Sequence, residues 1–150
     1  MHLTDYLTPT SVSLDLRATT KDEAIVEVLG LLGVDERIRA NLHRLIDRRE
    51  QTSTTGIGRG FAIPHCRSLS IDRLRLAFGR HRDGLDFTAP DQRLVTSIFL
   101  IVAPPNEVGN QYLPVLAKIA QFAKEPDVPE RIQRLDSVAG FFDLLAMKGM

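Results

Sequence analysis

The sequence predicts an α/β fold in which a mixed β-sheet lies between helices on both of its faces, an α/β sandwich. Helical patterns come before and after a central region of strand patterns. Residues 94–102 are nearly all apolar and rich in β-branched types, which is typical of a strand buried on both faces. No repeat, low-complexity tract or long linker divides the chain, so we predict one domain over residues 1–150.

Capping residues mark the predicted helix starts. Thr20, followed by a carboxylate at Glu23, matches the capping-box pattern and precedes apolar residues at helical spacing. Asp35 is predicted to cap a second helix and Ser137 the last one. Asn110 is predicted to cap a helix after the long apolar strand. The predicted apolar face of that helix comprises Leu113, Leu116, Ile119, Ala120 and Ala123.

Outside residues 94–102, the sequence patterns that predict strands are short. Residues 1–19 form an entry segment with a predicted short strand. Apolar side chains alternate with others over residues 74–79, which predicts a half-buried strand. Asp83 and Gly84 then form a turn signal.

Composition narrows the classes of function. Apolar residues make up 43% and charged residues 25% of the chain, a globular balance, and no apolar run is long enough to span a bilayer. The 19 basic and 19 acidic residues leave no net charge that would favour nucleic acid. A single cysteine, Cys66, excludes an internal disulfide framework, and with no secretory signal at the start we expect a cytoplasmic protein without direct membrane insertion.

The residues from Thr54 to His65 form the candidate functional segment, because they combine possible anion donors with a possible nucleophile. Gly56, Gly58 and Gly60 permit backbone conformations in which N–H groups converge on an anion, and Thr54 and Thr55 add hydroxyl donors. An imidazole follows at His65. The spacing fits neither a dinucleotide-binding loop nor a nucleotide P-loop.

Arg49 is predicted to reach this loop from the preceding helix. The apolar stripe of that helix is Ile38, Leu42, Leu45 and Ile46. Arg49 lies three or four residues beyond the last two of these and so projects from the same face, whereas Arg48 is turned away. A nucleophile, anion donors and a planar cation together describe a phosphoryl-transfer site.

The string T-G-I-G-x-G-x-A-I-P-H from Thr55 to His65, with Arg49-Glu50 upstream, resembles the phosphorylation motif of the fructose/mannitol-type enzyme IIA domains of the phosphotransferase system, including their nitrogen-regulatory members. The resemblance extends over the whole chain in length and element order. It implies that His65 accepts a phosphoryl group through Nε2 and that Arg49 neutralises phosphate oxygens. It implies no metal and no organic cofactor.

The resemblance also implies partners. The donor of the phosphoryl group is the histidine phosphocarrier protein. In a transport role the acceptor is a cysteine of a sugar-transporter domain. In a regulatory role the phosphoryl group stays on this chain as a mark, and the chain acts on a regulatory target protein. The sequence leaves the sugar, the choice between transport and regulation, and the oligomeric state open.

The sequence departs from the family at one position. Family members carry a second histidine at the start of the helix after the central strand, where this chain has Tyr112. A tyrosine can hydrogen-bond a phosphate but offers no positive charge. We therefore expect altered phosphoryl transfer or a regulatory role, with phosphocarrier activity retained. The alternative is a regulatory binding module of the same fold in which catalysis is altered. A small-anion or nucleotide sensor built on the glycine loop is a third hypothesis. Arg59 and Arg67 are interpreted either as additions to the positive potential or as solvated loop residues.

Overall fold

The computed structural model describes residues 1–107 and 109–150. Two short 3-10 helices, Leu3–Tyr6 and Pro9–Ser11, open the chain. The strands of the described residues are β1 (Val12–Ser13), β2 (Gly56–Gly58), β3 (Phe61–Ala62), β4 (His65–Arg67), β5 (Arg75–Leu85) and β6 (Val95–Ala103). The helices are α1 (Lys21–Gly30), α2 (Glu36–Thr52), α3 (Tyr112–Lys124), α4 (Val128–Gln133) and α5 (Val138–Met147).

The six strands form one mixed sheet. The strand order is β1-β5-β6-β3-β2, and β4 pairs with β6 as well. β5 and β6 are antiparallel, whereas β1 runs parallel to β5, and β3 and β4 run parallel to β6.

Helices cover both faces of this sheet. Alternate residues of β6 point to opposite faces and pack against different sets of helices. Phe99 and Ile101 pack in a core with side chains of α3, α4 and α5. Ile98 and Leu100 pack in a second core with side chains of α1 and α2. The predicted α/β sandwich is therefore confirmed, and so is the strand buried on both faces.

Three of the predicted helix caps are present. The side chains of Thr20, Asp35 and Ser137 accept hydrogen bonds from backbone N–H groups three residues on, at 3.2, 2.9 and 3.0 Å. The carboxylate of Glu23 accepts from the backbone and hydroxyl of Thr19. These local signals place α1, α2 and α5 correctly.

The start of α3 differs from the prediction. Asn110 has a φ of 54°, and the residue before the helix is Gln111, whose N–H donates to Glu107 at 2.6 Å. Leu113 is 69% exposed, and Tyr112 points into the core instead. The buried face of α3 is thus rotated from the predicted one, which brings Tyr112 to the sheet.

The strand predictions over residues 74–84 were partly wrong. β5 continues through Asp83 and Gly84, because a shift in its register with β6 and a φ of 86° at Gly84 absorb the irregularity as a bulge. Its centre is buried on both faces. A Cβ on Gly79 would lie 2.6 Å from a methyl carbon of Leu16, so this glycine marks close packing against a second layer.

Candidate active site

His65 stands at the first position of β4, directly after a break in the edge of the sheet. Both β3 and β4 pair with β6, but Pro64 between them has no N–H to give to the ladder. Its carbonyl still accepts from the N–H of Ile101 at 3.0 Å, which keeps the segment attached. The break leaves the side chain of His65 half-buried.

The ring of His65 is held in one tautomer. Nδ1 lies 2.7 Å from the backbone carbonyl oxygen of Ile63. A carbonyl can only accept, so Nδ1 is assigned the proton and Nε2 keeps its lone pair in the neutral ring. A histidine with this tautomer presents Nε2 as its nucleophilic atom.

Tyr112, at the first position of α3, lies beside this ring. The centroids of the two rings are 6.1 Å apart and their planes are at 71°, an edge-to-face arrangement. Tyr112 is only 6% exposed. The structure therefore brings together His65 and the residue that the sequence aligns with the second family histidine.

Arg67 is the member of this cluster whose role the sequence did not settle. It follows His65 by two positions on β4, so both side chains project from the same face of the sheet. Its guanidinium carbon lies 4.2 Å from the centroid of the Tyr112 ring, a cation–π contact. The signal available in the sequence was the i, i+2 spacing, which identifies one face only once residues 65–67 are known to be a strand.

Arg49 lies in the last turn of α2 and is half-buried. Its Nη1 donates to the carbonyl and the hydroxyl oxygen of Ser53, both at 3.1 Å. Burial raises the pKa of Tyr112 and so does the nearby Cys66, while the charges of Arg67 and Arg49 act to lower it. Arg49 is thus within electrostatic range of Tyr112, and its contact with a phosphate stays a prediction.

The glycine-rich segment forms a hairpin of β2 and β3. The Thr54 hydroxyl donates to the carbonyl of Phe87 and accepts from the N–H of Gly56 at 3.0 Å. At Gly58, where φ is 91°, a Cβ would lie 3.2 Å from a carboxylate oxygen of Asp91. That carboxylate also accepts from the N–H of Arg59 at 2.8 Å.

Thr55 is bound to a buried carboxylate. Its hydroxyl donates to Glu50, and its N–H does so at 3.2 Å. The donors of Thr54, Thr55 and Gly56 therefore already have protein partners, and a carboxylate lies against Gly58. Phosphate binding by these four residues stays a prediction, and it requires some of these partners to be exchanged.

Glu50 joins three elements behind His65. Its side chain is 4% exposed and pairs with Nζ of Lys21 at 2.7 Å. The carbonyl of Thr55 accepts from the N–H of Ile63 at 3.0 Å, and the carbonyl of Ile63 accepts from His65. We call the set Lys21, Glu50 and Thr55 the buried polar network, because it links the ends of α1 and α2 to the segment that holds the imidazole.

Cys66 lies between His65 and Arg67 but points to the opposite face, among side chains of α1 and α2. It is a free, buried thiol, and burial raises its pKa to about 12. The described residues 1–107 and 109–150 contain no group of three or more His, Cys, Asp or Glu side chains placed to hold a metal ion. In the same residues no helix combines the length and apolarity needed to cross a membrane.

The comparisons with known proteins define the class of this chain, a IIA protein of the phosphotransferase system. The nitrogen regulatory protein IIA-Ntr from Neisseria meningitidis superposes with a TM-score of 0.85 and 29% identity, over 94% of this chain and 97% of that one. The chain belongs to the family described as phosphoenolpyruvate-dependent sugar phosphotransferase system, EIIA 2, whose model matches residues 5–148.

Two curated relatives agree with this assignment. The fructose-specific EIIA component of Haloferax volcanii is 33% identical, over 97% of each chain. The fructose-specific EIIABC component of Bacillus subtilis is 27% identical over 97% of this chain, but the chain spans only 23% of that protein. The family supports a phosphocarrier or regulatory role within the phosphotransferase system.

Proposed function

We propose that this protein is a phosphohistidine carrier that accepts a phosphoryl group on Nε2 of His65 from the histidine phosphocarrier protein. The observation that carries the proposal is the 2.7 Å hydrogen bond from Nδ1 to the Ile63 carbonyl, which leaves the Nε2 lone pair free. Membership in the EIIA 2 family supports the same reaction class.

The chemistry of the step follows from this tautomer. The lone pair of Nε2 forms the new N–P bond while the bond between phosphorus and the donor's nitrogen breaks, and its electron pair stays on the donor. The proton on Nδ1 stays in its hydrogen bond, so no base is needed to remove it. The protein's contribution is to position the imidazole and to stabilise the negative charge of the phosphoryl oxygens.

The acceptor is proposed to be either a transporter domain or a regulatory target. The fructose-specific relatives favour a transporter domain with an acceptor cysteine, and the nitrogen regulatory protein favours a target protein. Arg49 and the hairpin residues Thr54, Thr55, Gly56 and Gly58 are proposed to contact the phosphoryl oxygens once that group is in place.

A second candidate function is a regulatory binding module in which phosphoryl transfer is altered. Tyr112 beside His65 favours it, because a neutral phenol replaces a group that can carry a positive charge. In this case the face around His65 binds a partner whether or not it is phosphorylated.

Phosphorylation separates the two candidates. With phosphoenolpyruvate, the first enzyme of the system and the histidine phosphocarrier protein, wild type should gain the mass of one acid-labile phosphoryl group. The gain should disappear in His65→Ala and persist in His2→Ala, a control at an exposed histidine. No gain in wild type with a cognate donor, together with equal capture of a partner by wild type and His65→Ala, would support the binding module instead.

A further inference from the structure

His65, Tyr112 and Arg67 form a continuous contact on one face of the sheet. Tyr112 is common to both contacts. The centroid of its ring lies 6.1 Å from that of the imidazole, with the ring planes at 71°, and 4.2 Å from the guanidinium carbon of Arg67. Because two residues of a strand span about 6.6 Å, the flexible side chain of Arg67 is long enough to reach a group bound to the imidazole of His65.

The guanidinium is held loosely enough to bind an anion. Its hydrogen bond to the protein runs from Nη1 to the carbonyl of Pro105 at 3.3 Å. Within residues 1–107 and 109–150 it lies in no ion pair with a carboxylate, and the side chain is exposed. Apart from this one bond of Nη1, the other N–H groups of the guanidinium remain available for a contact with phosphate oxygens.

Tyr112 has the properties of a fixed platform for this cation. It is buried at the start of α3, where it packs in the core beneath β6, and burial raises the pKa of its hydroxyl above the ordinary value. It therefore stays neutral at physiological pH and does not cancel the charge of Arg67.

We propose that Arg67, held by the ring of Tyr112, is a catalytic residue that binds the phosphoryl oxygens on His65 and supplies positive charge where this chain lacks a second histidine. The inference rests on the proposed function. Arg67 and Tyr112 form no covalent bond and transfer no proton during the step. They lower the energy of the phosphoryl group as it moves between the donor nitrogen and Nε2.

The test uses a phosphoryl group installed without protein partners. Phosphoramidate is used to phosphorylate His65 chemically, and the second ionisation of the phosphohistidine is followed by ³¹P NMR against pH. A nearby guanidinium stabilises the dianion, so the ionisation midpoint in Arg67→Gln should lie at higher pH than in wild type. Transfer from the histidine phosphocarrier protein should slow by about tenfold or more in Arg67→Gln, the loss expected for one charge-assisted hydrogen bond.

Further variants separate the charge of Arg67 from the ring of Tyr112. Tyr112→Phe keeps the ring and should keep the ³¹P midpoint of wild type, whereas Tyr112→Leu removes the platform and should shift the midpoint towards that of Arg67→Gln. Arg82→Gln is the matched control, because Arg82 is an exposed arginine near the C-terminal end of β5, away from Arg67. This variant should change neither the ³¹P midpoint nor the transfer rate.

The outcomes distinguish this inference from the proposed function. A wild-type midpoint and rate in Arg67→Gln would overturn the role of Arg67 and leave the phosphocarrier function intact. Labelling of His65 by phosphoramidate but not by the phosphocarrier protein would contradict the proposed function. The ³¹P midpoints would then still show whether Arg67 binds the phosphoryl oxygens. No labelling of His65 by either route would contradict both.

Discussion

The two sides of His65 are built in opposite ways. Behind it, the buried polar network of Lys21, Glu50 and Thr55 is closed, with a carboxylate whose hydrogen-bonding capacity is used by the protein. In front of it, Arg67 is exposed and rests on a buried ring. The half-buried imidazole is thus tied through backbone hydrogen bonds to a closed set of contacts, and it lies beside an exposed cation on its other side.

The largest effect is expected from breaking the closed side. Glu50→Ala leaves Lys21 and the donors of Thr55 without their acceptor and should lower the free energy of unfolding by about 3 kcal/mol, as measured by urea denaturation. Asp47→Ala removes an exposed carboxylate from the same helix and is the control. Equal losses in the two variants would show that the network adds nothing to stability.

A smaller effect is expected when one donor of the network is removed. Thr55→Val keeps the shape of the side chain and the backbone N–H contact but deletes the hydroxyl bond to Glu50. We expect a loss of about 1.5 kcal/mol in the free energy of unfolding, the usual size for a hydrogen bond to a charged group. A loss as large as that of Glu50→Ala would mean that the hydroxyl, rather than the ion pair, is the main contact of the carboxylate.

On the open side, Tyr112→His should change pH dependence rather than stability. Burial keeps the pKa of the Tyr112 hydroxyl above its ordinary value, so wild type has no titration from this residue near neutral pH. A histidine there can gain a proton as the pH falls, although burial and the nearby Arg67 place its pKa below the free value of about 6.5. Phosphorylation of His65 by the phosphocarrier protein should then be faster in the variant than in wild type at pH 6, by up to about tenfold, with the difference shrinking towards pH 8. Identical pH profiles would show that charge at position 112 does not affect transfer.

The smallest effect is expected at a partly exposed ion pair far from the site, between Asp127 and Lys148, which serves as a reference for Glu50. The pKa of Asp127 is lowered to about 2 by Lys148 and then by Arg131. A lowered pKa stabilises the folded state above the unfolded value of about 3.9, and this is lost as the pH falls through about 2. Asp127→Asn should therefore show a small loss of stability at pH 6 that disappears between about pH 4 and 2, measured by the urea midpoint. A loss at pH 6 comparable to that of Glu50→Ala would remove the contrast between the buried carboxylate of Glu50 and the partly exposed carboxylate of Asp127.

The sequence predicted the parts of the molecule that depend on local signals. The cap at Asp35 and the continuous apolar run of β6 needed only neighbouring residues, and both are present in the structure. The turn predicted at Asp83 failed because a bulge in a long strand uses the same residue types as a turn.

The parts of the site that were missed depend on contacts between distant segments. The ion pair of Glu50 was not predicted, because its partner Lys21 belongs to another helix. The contact between Arg67 and Tyr112 could not be predicted from the spacing of residues in the sequence. It depends on the strand at residues 65–67 and on the rotation of α3, and neither of these was predicted.

The orientation of Cys66 has a consequence for the fate of a phosphoryl group on its neighbour. A thiol with a pKa of about 12 carries almost no thiolate at neutral pH, and its sulfur faces the core on the far side of the sheet. Transfer of a phosphoryl group from His65 to the sulfur of Cys66 is therefore not expected, although the two residues are adjacent in the chain. Under the proposed function, a phosphoryl group on His65 would therefore leave in an intermolecular reaction and not by transfer to Cys66.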